Sequence, residues 1–163
     1  MQIKVVAYEL GCEPSPSVTS EILISGTDNA FLLFEIFGNG IAVVEIGPNA
    51  GVKIGYPNDE GLIEHPCYKY GMDNIETDVM EVVNSPWSEE VMSQMEASSE
   101  RIWGGRGMAI KPREPKYYRH FVIALKEKTF ECISSSLELV GTFDSFKEAN
   151  DYVFRNLGDA PGF

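Results

Sequence analysis

Residues 30–46 read Ala30-Phe31-Leu32-Leu33-Phe34-Glu35-Ile36-Phe37-Gly38-Asn39-Gly40-Ile41-Ala42-Val43-Val44-Glu45-Ile46. The run 30–37 is apolar at nearly every position and does not alternate. That is the pattern of a strand covered on both faces. Asn39-Gly40 follows, a pair that tolerates positive φ, so the chain is expected to reverse there and return along 41–46 as an antiparallel partner.

Upstream, Ile3 to Glu9 alternates weakly and reads as a strand. Pro14 and Pro16 cannot donate to a ladder, so residues 12–17 read as a loop. Glu21 to Ile24 is a further strand, separated from the hairpin by the turn cluster Gly26-Thr27-Asp28-Asn29. Downstream, Gly47-Pro48-Asn49 is a turn and Val52 to Tyr56 a short strand. Pro57 to Asp73 is loop-like, and Ile75 to Val83 suits either a strand or a helix.

Ser85-Pro86 opens a helix, with Ser85 placed to cap it and Pro86 at the first helical position. Trp87, Val91, Met95 and Ile102 make one stripe at helical spacing, expected to pack on the sheet. Gly104-Gly105-Arg106-Gly107 ends this helix, and residues 109–116 read as a connector. Tyr118 to Leu125, Thr129 to Ile133 and Leu137 to Thr142 read as a three-strand unit. Ser145 and Glu148 form a capping box for a last helix, with Phe146, Ala149, Val153 and Leu157 as its apolar stripe. Gly158 is placed to end it, and residues 159–163 read as a frayed tail. The expected fold is a single α+β domain over residues 1–158. It has an antiparallel sheet of the first strands, a three-strand C-terminal unit and two packing helices.

The chain has 163 residues, 44% of them hydrophobic, so one core is expected. Thirteen Lys and Arg oppose 25 Asp and Glu, a formal charge of −12. Such a polyanion repels phosphate backbones and anionic lipid surfaces, which argues against nucleic-acid and membrane partners and for a basic protein partner. One basic stretch interleaved with aromatics, from Arg101 through Arg106, Lys111, Arg113 and Lys116 to Arg119, is expected to pair with acids of the same molecule. Cys12, Cys67 and Cys132 follow no disulfide spacing. No signal peptide or membrane-length apolar run is read, so a cytoplasmic setting is expected.

The candidate pocket is His65, Cys67, Tyr68, Trp87 and His120. His65-Pro66-Cys67 is the one place where two reactive side chains are close in sequence, and a thiol nucleophile needs such a base. No third orienting group is visible, so no catalytic residues are assigned. A zinc site would need a fourth ligand beside Glu64, His65 and Cys67, so neither metal nor cofactor is expected. Glu35, Glu45 and Glu131 interrupt apolar strands and are expected to face water or a lysine. Phosphate-loop, zincin, nucleophile-elbow and dinucleotide motifs are absent.

Asn84-Ser85-Pro86-Trp87, the run Arg119-His120-Phe121 and the run Thr129-Phe130-Glu131-Cys132 together resemble a family of small uncharacterised bacterial proteins. His65-Pro66-x-Tyr68 also resembles a motif of that family. The likeness covers roughly Glu64 to Ile133 and ends after Ala124, where Leu125-Lys126-Glu127-Lys128 stands in place of a Phe-His-Asp-Ser link. The resemblance implies no activity. By analogy with small acidic bacterial immunity proteins, it suggests an interaction module that binds a basic partner. A small-molecule or regulatory binding module is the alternative, and a small enzyme built on a His65/Cys67 loop pocket is a third reading.

Overall fold

A computed structural model describes residues 1–17, 20–27, 29–104 and 118–157. Among the described residues the chain forms nine strands and two helices. They are β1 (Lys4–Ala7), β2 (Glu21–Ser25), β3 (Ala30–Glu35), β4 (Ile41–Ile46), β5 (Asn49–Gly55), β6 (Val79–Val83), α1 (Pro86–Trp103), β7 (Arg119–Ala124), β8 (Thr129–Ser134), β9 (Leu137–Phe143) and α2 (Phe146–Asn156). One sheet has the order β1-β6-β7-β8-β5 and the other β2-β3-β4-β9, and every pairing is antiparallel. The architecture is α+β, as the sequence indicates.

The hairpin of residues 30–46 forms as read. Phe34 pairs with Ala42 and Glu35 with Ile41. The reversal places Gly38, Asn39 and Gly40 at φ of 89°, 75° and 121°, a left-handed run that a β-branched residue would resist. Ala30 to Phe34 and Ile41 to Val44 are all buried, so both faces of β3 and β4 are covered. One face sends Leu32, Phe34, Ala42, Val44 and Ile46 against Val79, Phe121, Ile123, Phe130 and Cys132 of the five-stranded sheet. The other sends Phe31, Leu33, Ile41 and Val43 against Ala149 and Val153 of α2. Phe146 and Leu157 flank that contact, half-buried. Ser145 caps α2 by accepting the Glu148 N–H at 3.2 Å.

Three expectations need correction. The C-terminal strands are not one unit: β7 and β8 extend the five-stranded sheet, while β9 crosses over and pairs with β4. Three strands in sequence order say nothing about sheet membership once the link can turn a corner, and Ser134-Ser135-Ser136 is such a corner. The α1 stripe is not packed along its length. Ser85 caps the helix through the Ser88 N–H and Trp87 lies against the sheet, but Met95 is 39% and Ile102 56% exposed. A helical stripe predicts a face, and among the described residues Met95 and Ile102 of that face stay open to solvent. Finally, the loop-like segment contains three short 3₁₀ turns, Leu62–Glu64, Tyr68–Tyr70 and Met72–Asn74, and the ambiguous stretch after it resolves as β6. The expected connector at 109–116, the cap Gly158 and the tail 159–163 lie outside the described residues, as do the basic residues Arg106, Lys111, Arg113 and Lys116.

Phe34 is fully buried between the sheets, whereas Phe146 is half-buried at the edge of α2. Phe34→Ala should therefore cost about 3–5 kcal/mol and Phe146→Ala about 1–2 kcal/mol. Urea unfolding of the two variants checks this ranking.

Candidate functional site

The outer face of the five-stranded sheet carries the site. Along β8, Phe130 and Cys132 point into the core, so Glu131 between them points out. Along β7, Phe121 and Ile123 point in, so His120 points out. The β7–β8 register sets Val122 opposite Glu131 and Ile133 opposite His120, which makes His120 a diagonal neighbour of Glu131 on one face. The segment between β5 and β6 lies over this face. Its Cys67 and Met72 pack on Val5, Met80, Val82, Val122 and Ala124, with Tyr68 at the border of the same cluster. That packing brings His65 down onto Glu131.

Two imidazoles thus converge on one carboxylate oxygen. His120 Nε2 lies 2.9 Å and His65 Nε2 3.1 Å from Glu131 Oε1. His65 and His120 are 3% and 2% exposed. His120 is aligned for a hydrogen bond, whereas His65 Nε2 is within ion-pair distance but has no aligned acceptor among the described residues.

The remaining ring nitrogens are engaged too. The Cys67 N–H donates to His65 Nδ1 at 3.1 Å. Ser85 Oγ lies 2.7 Å from His120 Nδ1 while accepting the Ser88 N–H at 3.2 Å, so its hydroxyl proton is free to donate to the ring. With Nδ1 accepting, a neutral His65 carries its proton on Nε2. That nitrogen then offers no lone pair to a metal. The lone pair that would take a thiol proton from Cys67 is already held by the Cys67 amide.

Trp87 stands edge-on to His120, with ring centroids 5.1 Å apart and planes at 84°. Lys53 Nζ sits 3.6 Å over the indole. Gly51 lies beneath, where a Cβ would come within 3.0 Å of Trp87 Cζ2. All five candidate residues therefore belong to one neighbourhood: His65, His120 and Trp87 through ring contacts, Cys67 through its amide, and Tyr68 through the Cys67 cluster and an N–H to His65 O bond of 2.9 Å.

Glu131, Ser85 and Lys53 complete the site and were not among the candidates. The expectation that Glu131 faces water or a lysine is wrong, because two histidines from different parts of the chain reach it first. An isolated Glu between Phe and Cys was the available signal, and strand alternation places it opposite the core. Glu45 also departs from that expectation: it accepts from Asn29 Nδ2 at 3.2 Å.

Burial works against a charge on Glu131, but the imidazoles of His120 and His65 outweigh it and hold its pKa down at about 2. Burial likewise opposes a charge on His65. The Cys67 thiol, distinct from the Cys67 amide on Nδ1, and the Glu131 carboxylate favour it and raise its pKa to about 9. The thiols of Cys12 and Cys132 are pushed up by burial, which keeps them protonated and unreactive at neutral pH.

A carboxyl whose folded pKa lies below its unfolded value of about 4.5 stabilises the fold above that pH and loses the contribution as pH falls towards 2. Wild type minus Glu131→Gln in stability should therefore shrink on acidification from pH 5 to pH 2.5. The same substitution should lower the His65 pKa followed by ring-proton NMR, since it leaves the burial and removes the charge. A difference that grows with acid, or a His65 pKa that does not move, contradicts the assignment.

No protein-family model, curated protein or solved structure matches the chain, so its function is read from this geometry.

Proposed function

We propose that the chain is a protein-binding module that takes a basic partner on the face formed by residues 56–78. The crowding of acid on that segment carries the reading. Between residues 57 and 78 the chain has Asp59, Glu60, Glu64, Asp73, Glu76 and Asp78 against a single lysine, Lys69. All six acids are exposed. Glu13 joins them from the other end of the chain, accepting the Asp78 N–H at 3.1 Å. Partial burial of its carboxyl raises the Asp78 pKa, and the nearby charges of Glu13 and Asp59 add to that rise.

Lys126 answers part of this charge, at 2.9 Å from Asp59 and 3.5 Å from Glu60. Within the acidic rim stand two uncovered large side chains, Tyr56 at 72% and Ile63 at 68% exposure. An aromatic and an aliphatic anchor inside a charged border is the composition of a binding hot spot, where acids steer a basic partner and apolar groups hold it. A module that neutralises a basic toxin, the immunity-type role suggested by the resemblance, belongs to this class.

A second reading has one observation in its favour. A groove of about 450 Å³ runs beside α1, lined by Ala50, Val91, Gln94, Met95, Ser98 and Ser99. It is wide enough for a small molecule and has no titratable side chain among these residues, which suits a regulatory ligand rather than a reaction.

The test is an amide-resolved NMR titration with a peptide of lysines and leucines at physiological salt. Shift changes should centre on Tyr56, Ile63, Glu64, Asp73 and Glu76. Glu64→Lys with Asp73→Lys should weaken binding about tenfold, whereas Glu89→Lys with Glu90→Lys on α1 should not. Equal loss from both pairs would reduce the interaction to net charge.

A further inference from the structure

The geometry points to His65 as a proton-controlled latch on the acidic segment: the neutral ring holds the Cys67 amide, and the protonated ring releases it in favour of Glu131. The argument begins at the two ring nitrogens. Nδ1 accepts the Cys67 N–H at 3.1 Å, and Nε2 lies 3.1 Å from Glu131 Oε1 without an aligned bond. A second proton has one place to go, Nδ1, where it meets an amide hydrogen. Donor against donor is repulsive, so the protonated ring gives up the amide, while its new charge strengthens the attraction to the carboxylate. His120 is built differently. Its Nδ1 faces a hydroxyl, which can accept as readily as donate, so a proton there breaks nothing.

The surroundings leave few competitors. From β8 the ring faces Glu131. His120 of β7 shares that carboxylate, and Cys67 belongs to the same turn. β6 contributes only the apolar Met80 and Val82 to the cluster around Cys67. β5 sets Lys53, seated on Trp87, opposite Glu131, and α1 contributes Ser85 with the exposed Glu89 in its first turn.

The turn that would open is the middle of the segment. The His65 carbonyl accepts the Tyr68 N–H at 2.9 Å and the Cys67 carbonyl accepts the Tyr70 N–H at 3.0 Å, so both following turns are built on residues 65–67. Opening therefore moves the backbone between Ile63 and Asp73. The consequence for partner binding rests on the docking reading of residues 56–78, but the latch itself does not.

Two measurements separate them. In the protein alone, hydrogen-exchange protection of the Cys67 amide is followed from pH 10.5 to pH 6 beside the His65 ring signal, a window that spans its pKa of about 9. Protection should fall about tenfold or more along the His65 titration curve, with Leu32 in the core unchanged. Glu131→Gln should move both curves together to lower pH, and His65→Asn should abolish the step. Cys67 protection that is flat while His65 titrates overturns the latch, with no variant needed. The lysine–leucine peptide is then titrated at pH 9 and pH 5. A latch that works with a peptide affinity that does not change overturns only the link to docking, because the peptide's ammonium groups and the surface carboxylates keep most of their charge across that range.

Discussion

β3 and β4 are buried on both faces, and the rest of the architecture follows from the need to cover them. An antiparallel pair with one wet face would need one partner layer, but this pair needs two. α2 covers one side and the five-stranded sheet the other. A large aromatic side chain such as Phe34 or Phe121 gains about 1.5–3 kcal/mol by leaving water, so the inner faces have no alternative of comparable stability. The covering sheet has to be made from strands on either side of the hairpin in sequence, which forces the chain to change sheets. It does so once between β1 and β2 and then at two places that lie side by side. Residues 47–49 carry it from β4 to β5, and residues 134–136 carry it back from β8 to β9. Gly47 N–H donates to Ser136 O and Ser135 N–H to Pro48 O, each at 3.0 Å, and the Ser134 hydroxyl reaches Ser136 O at 2.8 Å. A Cβ on Gly47 would stand 2.3 Å from Ser136 Oγ, so a larger residue at this corner would have to turn that hydroxyl aside.

With one face of the five-stranded sheet consumed by the core, the middle of β7 and β8 carries its polar side chains on the outer face, while Arg119 and Ser134 sit at the strand ends of the inner face. Strand alternation then puts His120 and Glu131 together without any further design. Their burial depends on the cover laid over them: the first turn of α1 on one side and residues 62–75 on the other. A carboxylate under such a cover is costly unless its charge is met. Here it is met by two imidazoles, each held at its second nitrogen by a backbone amide or by a hydroxyl that caps a helix. One oxygen thereby ties together β7, β8, the α1 terminus and the long segment, which no other described polar group does.

Much of the fold was legible because its signals are local. Asn39-Gly40 between apolar runs, Ser85-Pro86 and the Ser145–Glu148 box each specify geometry within four residues, and each element formed where expected. Sheet membership was not legible, since the crossing at Ser134–Ser136 looks in sequence like any short polar link. The α1 stripe misled for a related reason: periodicity reports which side of a helix is apolar, not whether anything stands opposite. At the site, the histidines, Cys67, Tyr68 and Trp87 were visible as unusual residue types. Glu131 was visible only as an anomaly inside a strand, because its meaning depends on His65, 66 positions away and delivered by a loop without periodic pattern.

That loop poses the sharpest energetic question in the molecule. Six acids on one short segment repel one another, and its three 3₁₀ turns are short, local pieces of structure. Its hold on the sheet comes from the apolar patch around Cys67 and Met72 and from His65. The apolar patch is indifferent to pH and tolerant of small slips, so by itself it would leave the segment attached but imprecise. His65 adds one directional contact, from the Cys67 amide to Nδ1, and brings Nε2 within ion-pair distance of Glu131, and so fixes the register of the turn. Acidic and apolar groups on its outer side are thereby presented in one arrangement. Charge repulsion that would spread a free loop is opposed instead by the packing of Cys67 and Met72 and by the contact of His65 with the Cys67 amide.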